Sequence, residues 1–163
     1  MVLARFVTAA AFSALITPAF AQTPVPAPDF AMQASVGNTF EVEESKLALN
    51  QASSPKVKAF AKMMIADHTK AEKKLMIAAK SVSPVEMKLD DPHQAMVTAL
   101  QGKSGADFDK AYIADQIQAH QDTATLLETY QSSGDNAKLK TWAKASLPVV
   151  KMHLKKVQGM SSM

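Results

Sequence analysis

Residues 54–82 read SPKVKAFAKMMIADHTKAEKKLMIAAKSV. The apolar positions Val57, Phe60, Ala61, Met64, Ala71, Leu75, Ala78 and Val82 recur three or four apart, the period of one face of an α-helix. Pro55 suits the first helical position, where its missing N–H has no partner to lose. Ser83-Pro84 ends the run. Seven lysines, Lys56, Lys58, Lys62, Lys70, Lys73, Lys74 and Lys80, fill much of the remaining surface. His68 lies on the apolar stripe, four residues after Met64 and three before Ala71. One long amphipathic helix is expected here, burying an imidazole and exposing lysines.

Such a helix must bury its stripe against others, and three more of the same kind follow from the sequence. A first helix, capped by Asp29, runs to about Ala52. A third, from Ser104 to about Ser132, carries Phe108, Ile113, Ile117, Ala124 and Leu127, with Ser104 and Asp107 in a capping-box arrangement. A fourth follows the turn at Gly134-Asp135 and runs to about Gln158. Its expected stripe is Leu139, Trp142, Ser146, Val149 and Val157, with Gly159 as its stop. Pro148 lies inside it and predicts a kink one turn before His153. Between the second and third helices lies a segment too long for a structureless loop. Asp91-Pro92, then Met96, Val97, Leu100 and Gly102, mark a short crossover helix there. The expected fold is all-α: a ferritin-like four-helix bundle with a short crossover helix between helices 2 and 3.

The bundle domain should span residues 29–159. Residues 1–21 combine a charged start, an apolar run and Ala19-Phe20-Ala21, the parts of a secretory signal peptide. Cleavage near Ala21 would make the protein periplasmic or secreted. Residues 22–28 form a Pro-rich linker, and 160–163 a frayed tail. No later stretch is apolar enough to cross a membrane. Cysteine is absent, which excludes disulfides and thiolate chemistry. Arg5 is the sole arginine, which argues against nucleic acid as a partner. No nucleophile elbow or phosphate-binding glycine loop is present, so the reading leans away from an enzyme. A protein or other envelope partner stays unnamed, as does the oligomeric state. Charges are sorted by helix: the first and third are acidic, the second and fourth lysine-rich. Placing the first and third on a diagonal would give every neighbouring pair opposite signs.

Four helices each bring a candidate ligand to the core side at similar height. These are Glu41 or Glu44, His68, His120 and His153. Three imidazoles and a carboxylate suit a single zinc or copper ion. The same residues could instead form a metal-free hydrogen-bond network in a structural or interaction protein. Carboxylate-bridged di-iron sites use Glu-x-x-His, but the residues three before the histidines are Ile65, Ile117 and Val150. The ten methionines suggest core filling at Met63, Met64, Met76 and Met152. His93 is expected to be exposed.

Several runs carry a family resemblance. They are Phe40–Ala48, Val57–Lys70 with its Asp67-His68 pair, Gly105–Tyr112 followed by Ala119-His120, and Leu147-Pro148-Val149 with His153. In these the chain resembles the domain-of-unknown-function 4142 family of exported bacterial proteins with ferritin-like bundles. The resemblance implies that Asp67, His68, Asp109, Tyr112, His120 and His153 belong to one shared arrangement.

Overall fold

The computed structural model describes residues 25–82 and 84–161. The expected signal peptide, the start of the linker and the last two residues lie outside the described residues. Five helices follow in order: α1 (Ala27–Gln51), α2 (Pro55–Ala79), α3 (Asp91–Gln101), α4 (Gly105–Ser133) and α5 (Ala137–Gln158). The four long ones build the bundle and α3 is the crossover.

Helix ends follow local chemistry. α1 begins two residues earlier than Asp29, because Pro28 fits the first turn and Asp29 becomes its acidic residue. Asp90, not Asp91, caps α3, accepting from the backbone N–H of His93. The capping box at Ser104 does not form, since Ser104 makes no side-chain cap bond. Gly105 opens α4 at φ +63°, a conformation that a side chain would resist. Asn136 caps α5 through the N–H groups of Lys138 and Leu139. At Gly134 a Cβ would sit 2.5 Å from the Tyr130 carbonyl oxygen. Past Gly159, Met160 and Ser161 bond back to Val157 and Gln158, and Met160 packs on the core.

α1 packs along α2, and α4 along α5; α1 also packs on α4, and α2 on α5. The first and third long helices are therefore neighbours, contrary to the charge-based diagonal arrangement. Surface ion pairs are too weak to choose the topology against the apolar stripes. Like-charged helices end up side by side, with acidic α1 and α4 on one side and lysine-rich α2 and α5 on the other. Phe30, near the start of α1, stacks on Tyr130, near the end of α4. Ala52, just past α1, bridges Gly105, the first residue of α4. So α1 and α4 run antiparallel, and the chain must travel the bundle's length between α2 and α4. α3 makes that journey along α1.

The core has two apolar storeys. One holds Phe30, Leu75, Leu127, Tyr130, Leu139, Trp142 and Val150. The other holds Phe60, Met64, Leu100, Phe108, Tyr112 and Val157. On α5 the buried stripe uses Val150 rather than Val149, which is 39% exposed. Both continue the stripe from Ser146, three or four residues on, and packing selects the second. α5 continues as helix through Pro148. Of the methionines, Met64 is buried, whereas Met76 and Met152 are exposed.

One clamp ties the upper end. Asp109 accepts from the N–H and hydroxyl of Ser53 and from the N–H of Ser54, at 2.9 Å, thereby holding the α1–α2 turn. Three donors to one carboxyl are worth several kcal/mol together. Asp109→Ala should lower unfolding free energy by about 2–4 kcal/mol in urea titration, and Ser53→Ala by about 1 kcal/mol. Equal, small losses would show that the turn is held by packing alone.

Candidate metal centre

Between the two apolar storeys lies a polar layer, and its residues come from all four long helices. Glu41, Glu44 and Asn38 descend from α1, His68 and Glu72 from α2, Gln116 and His120 from α4, and His153 from α5; all are buried. The three imidazole rings form a near-equilateral triangle, with centroids 5.4, 5.5 and 5.7 Å apart. One nitrogen from each ring lies within 4.8 Å of the other two.

Each ring is fixed from behind. Asn38 donates its amide to Glu72 Oε2 at 2.9 Å, which turns its Oδ1 toward His68 Nδ1 at 3.0 Å. An amide oxygen only accepts, so His68 carries its proton on Nδ1 and presents the Nε2 lone pair. His120 Nδ1 lies 2.8 Å from the Gln116 carbonyl, which also only accepts, leaving its Nε2 as a lone pair. His153 Nε2 donates to Asp67 Oδ2 at 2.9 Å, which leaves Nδ1 free. Those three remaining nitrogens, His68 Nε2, His120 Nε2 and His153 Nδ1, are buried without a hydrogen-bond partner among the described residues.

Burial holds the rings neutral. The imidazole of His68 is pushed well below the usual histidine range by desolvation, with the other two rings adding to the effect. Burial brings His120 down to about 4, and lowers His153 against the opposing pull of Asp67. Neutral imidazole is the ligating form, so the cluster needs no deprotonation near neutral pH.

The two glutamates stand one step out. Glu41 Oε1 is 3.3 Å from His120 Nδ1, the nitrogen facing away from the cluster. Glu44 accepts from Gln116 Nε2 at 3.2 Å. Desolvation raises Glu41 to about 8 and Glu44 to about 9, with Asp115 pushing Glu44 further up. Near neutrality both are carboxylic acids rather than anions. Of the five expected residues, the structure brings three into one cluster and places Glu41 and Glu44 behind it.

The family motifs divide into two arrangements rather than one. Asp67, His68, His120 and His153 share the layer. Asp109 clamps the α1–α2 turn, and Tyr112 bonds Ser45 at 2.8 Å in the upper storey. Sequence reasoning missed Asn38, Glu72, Ser35 and Gln116, which brace the rings and the acids. Ser35 Oγ donates to Glu72 Oε1 at 2.7 Å, completing a chain from His68 through Asn38 and Glu72. The signal available was spacing: Gln116 stands four residues before His120, and Glu72 four after His68. His93 is half-buried rather than exposed, its ring against Phe40 with centroids 4.9 Å apart.

A cavity of about 180 Å³ opens beside the cluster, lined by His68, His153, Asn38, Trp142 and Leu127. Asp67, Lys70 and Lys74 of α2 and Gln33 of α1 also line it.

Among known proteins, the model of a family described as a domain of unknown function (DUF4142) matches residues 14–160. No curated protein sequence matches the chain. Among solved structures, CopM in its Cu(II)-bound form is similar at a TM-score of 0.72 and 16% identity. That alignment covers 86% of this chain and 98% of CopM's. CopM in the Ag-bound form gives a TM-score of 0.67 at 16% identity, over 85% of this chain and 96% of that one. The Cu(I)-bound form gives 0.70 at 15% identity, with the same coverage. At such identity the likeness establishes the shared bundle.

Proposed function

The chain belongs to the DUF4142 family, and we propose that it binds one copper ion through His68, His120 and His153. The observation that carries this reading is the convergence of three buried, unpartnered imidazole lone pairs. An unmet buried polar atom is costly, and three in one cluster share a single remedy. Three nitrogen donors suit copper or zinc. Metal–nitrogen bonds near 2.0 Å place the nitrogens about 3.3–3.5 Å apart, so the rings draw in by about 1 Å on loading. Copper is preferred because it can bind as a monovalent ion, which costs less to bury than a divalent one where the buried carboxyls of Glu41 and Glu44 are held protonated. The bundle's likeness to CopM, described in Cu(I)-, Cu(II)- and Ag-bound forms, supports the same choice. Asn38, the Gln116 carbonyl and Asp67 act as positioning partners that fix each ring's tautomer.

Export belongs to the same reading. Residues 1–21 have the make-up of a signal peptide, and no described helix is long and apolar enough to cross a membrane. Mass spectrometry of the protein from an exporting host should find Gln22 at the N-terminus.

Elemental analysis of that untagged protein should give one copper per chain. Competition against a Cu(I) chelator should show a loss of affinity of at least about a hundredfold in His120→Ala. Substoichiometric metal, with no melting shift on adding Cu(I), Ag(I) or Zn(II), would overturn the proposal and leave the layer as a hydrogen-bond network. Stoichiometric zinc with copper excluded would keep the site and change the ion.

A further inference from the structure

The adjacency of α2 and α5 concentrates charge to an unusual degree. Together with the C-cap Lys80, these helices hold thirteen of the seventeen lysines, against Asp67 and Glu72, a formal +11. The other described residues carry four lysines against thirteen acids, a formal −9. The bundle is thus a dipole across its width, although its net charge is small. The two acids on the lysine side are already engaged: Asp67 holds His153, and Glu72 is buried between Ser35 and Asn38. Of the thirteen lysines, Lys151 has an ion-pair partner, Glu128, and the rest have none among the described residues. α5 contains no acidic residue at all.

Apolar side chains stand out among these lysines. Ile77 is 74% exposed and Met76 43%, on α2; Val149 and Met152 are each 39% exposed, on α5. α2 alone is 25 residues long, about 37 Å at 1.5 Å per residue. Lysine is a hydrated point charge without arginine's fixed fork, so it suits a diffuse field of anions better than one defined phosphate or carboxylate. Basic residues interspersed with apolar ones, along a helix lying flat, are the chemistry of an interfacial surface.

We propose that the α2–α5 face docks on an anionic phospholipid bilayer, its lysines over the headgroups and Ile77 and Met152 reaching the acyl boundary. The acidic α1–α4 side then faces away from the lipid, which fixes the orientation of the molecule. Lys70 and Lys74, which also line the cavity beside the histidine layer, lie on the docked side. Docking depends on no metal and would survive failure of the copper reading.

Co-sedimentation of the exported protein with vesicles tests it. Binding is expected to equimolar phosphatidylglycerol–phosphatidylcholine vesicles at low salt, to be lost by about 0.5 M NaCl, and to be absent with phosphatidylcholine alone. The exposed triple variant Lys73→Glu/Lys144→Glu/Lys155→Glu should bind about a hundredfold more weakly, with its helical circular dichroism unchanged. Ile77→Ser should weaken binding several-fold at the same charge. Equal binding to neutral vesicles, or no effect of the triple reversal, would overturn the proposal. So would an unaffected Ile77→Ser variant together with equally tight binding to polyglutamate, which would assign the face to an acidic protein partner.

Discussion

Replacing Glu44 by glutamine should stabilise the metal-free protein, by about 2–3 kcal/mol near pH 7. Glu44 is buried and its folded value is raised from 4.5 to about 9. Between those limits the unfolded chain has released the proton and the folded chain keeps it. Stability attributable to this group is therefore fully present below about pH 4.5 and drains away as pH rises toward 9. Glu41, raised to about 8, adds a parallel loss. Glutamine keeps the contact with Gln116 and abolishes the proton dependence. Urea titrations across pH should show the variant's advantage growing from about pH 5 to pH 8. An advantage independent of pH would mean that Glu44 is held by something other than its proton. The histidines have the opposite sign. Their folded values lie below 6.5, so their stability is full above that pH and is lost as pH falls below it, for His120 down to about 4. The metal-free layer should be most stable in mildly acidic solution, between the two limbs.

Asn38→Ala should cost about 3 kcal/mol of stability and weaken copper binding about 10- to 100-fold. The single amide does two jobs, accepting from His68 Nδ1 and donating to Glu72. Its loss strands a buried imidazole N–H and leaves the Glu72 carboxyl with Ser35 as its remaining side-chain donor. Unfolding measurements and Cu(I) competition should change together. Lower stability with unaltered affinity would make Asn38 a packing residue only, and would remove tautomer control from the account of the site.

The legible part of this molecule was its periodicity. Helical spacing put His68, His120 and His153 on buried stripes, and counting residues from the turns put them at one height. The helix boundaries followed from Pro55, the Gly134-Asp135 turn and Gly159 to within a few residues. What spacing does not carry is which helices touch. The charge pattern suggested a diagonal for the two acidic helices, but packing of Phe30 on Tyr130 and of the Ala48 storey on Phe108 makes them neighbours. The stripe at Ser146 was compatible with Val149 or Val150, because both are helical steps, and only the packed partner decides. Glu41 and Glu44 were correctly placed on the core side. Their position behind His120 and Gln116 depends on side-chain direction, which residue spacing leaves open. The bracing residues were hidden for a related reason: serine, asparagine and glutamine on a stripe read as interruptions until their partners are known.

The crossover has a consequence for how the molecule assembles. α1–α2 and α4–α5 are local hairpins that can form from contacts close along the chain, whereas their docking must wait for closure of the 80–104 segment. His68 comes from the first hairpin, His120 and His153 from the second. The triangle of imidazoles therefore exists only once the two halves meet, and an ion held by all three would join them without a covalent link. A chain nicked between Lys80 and Asp90 would become two fragments whose reassociation the ion promotes. Ion capture and the last folding step would then be the same event.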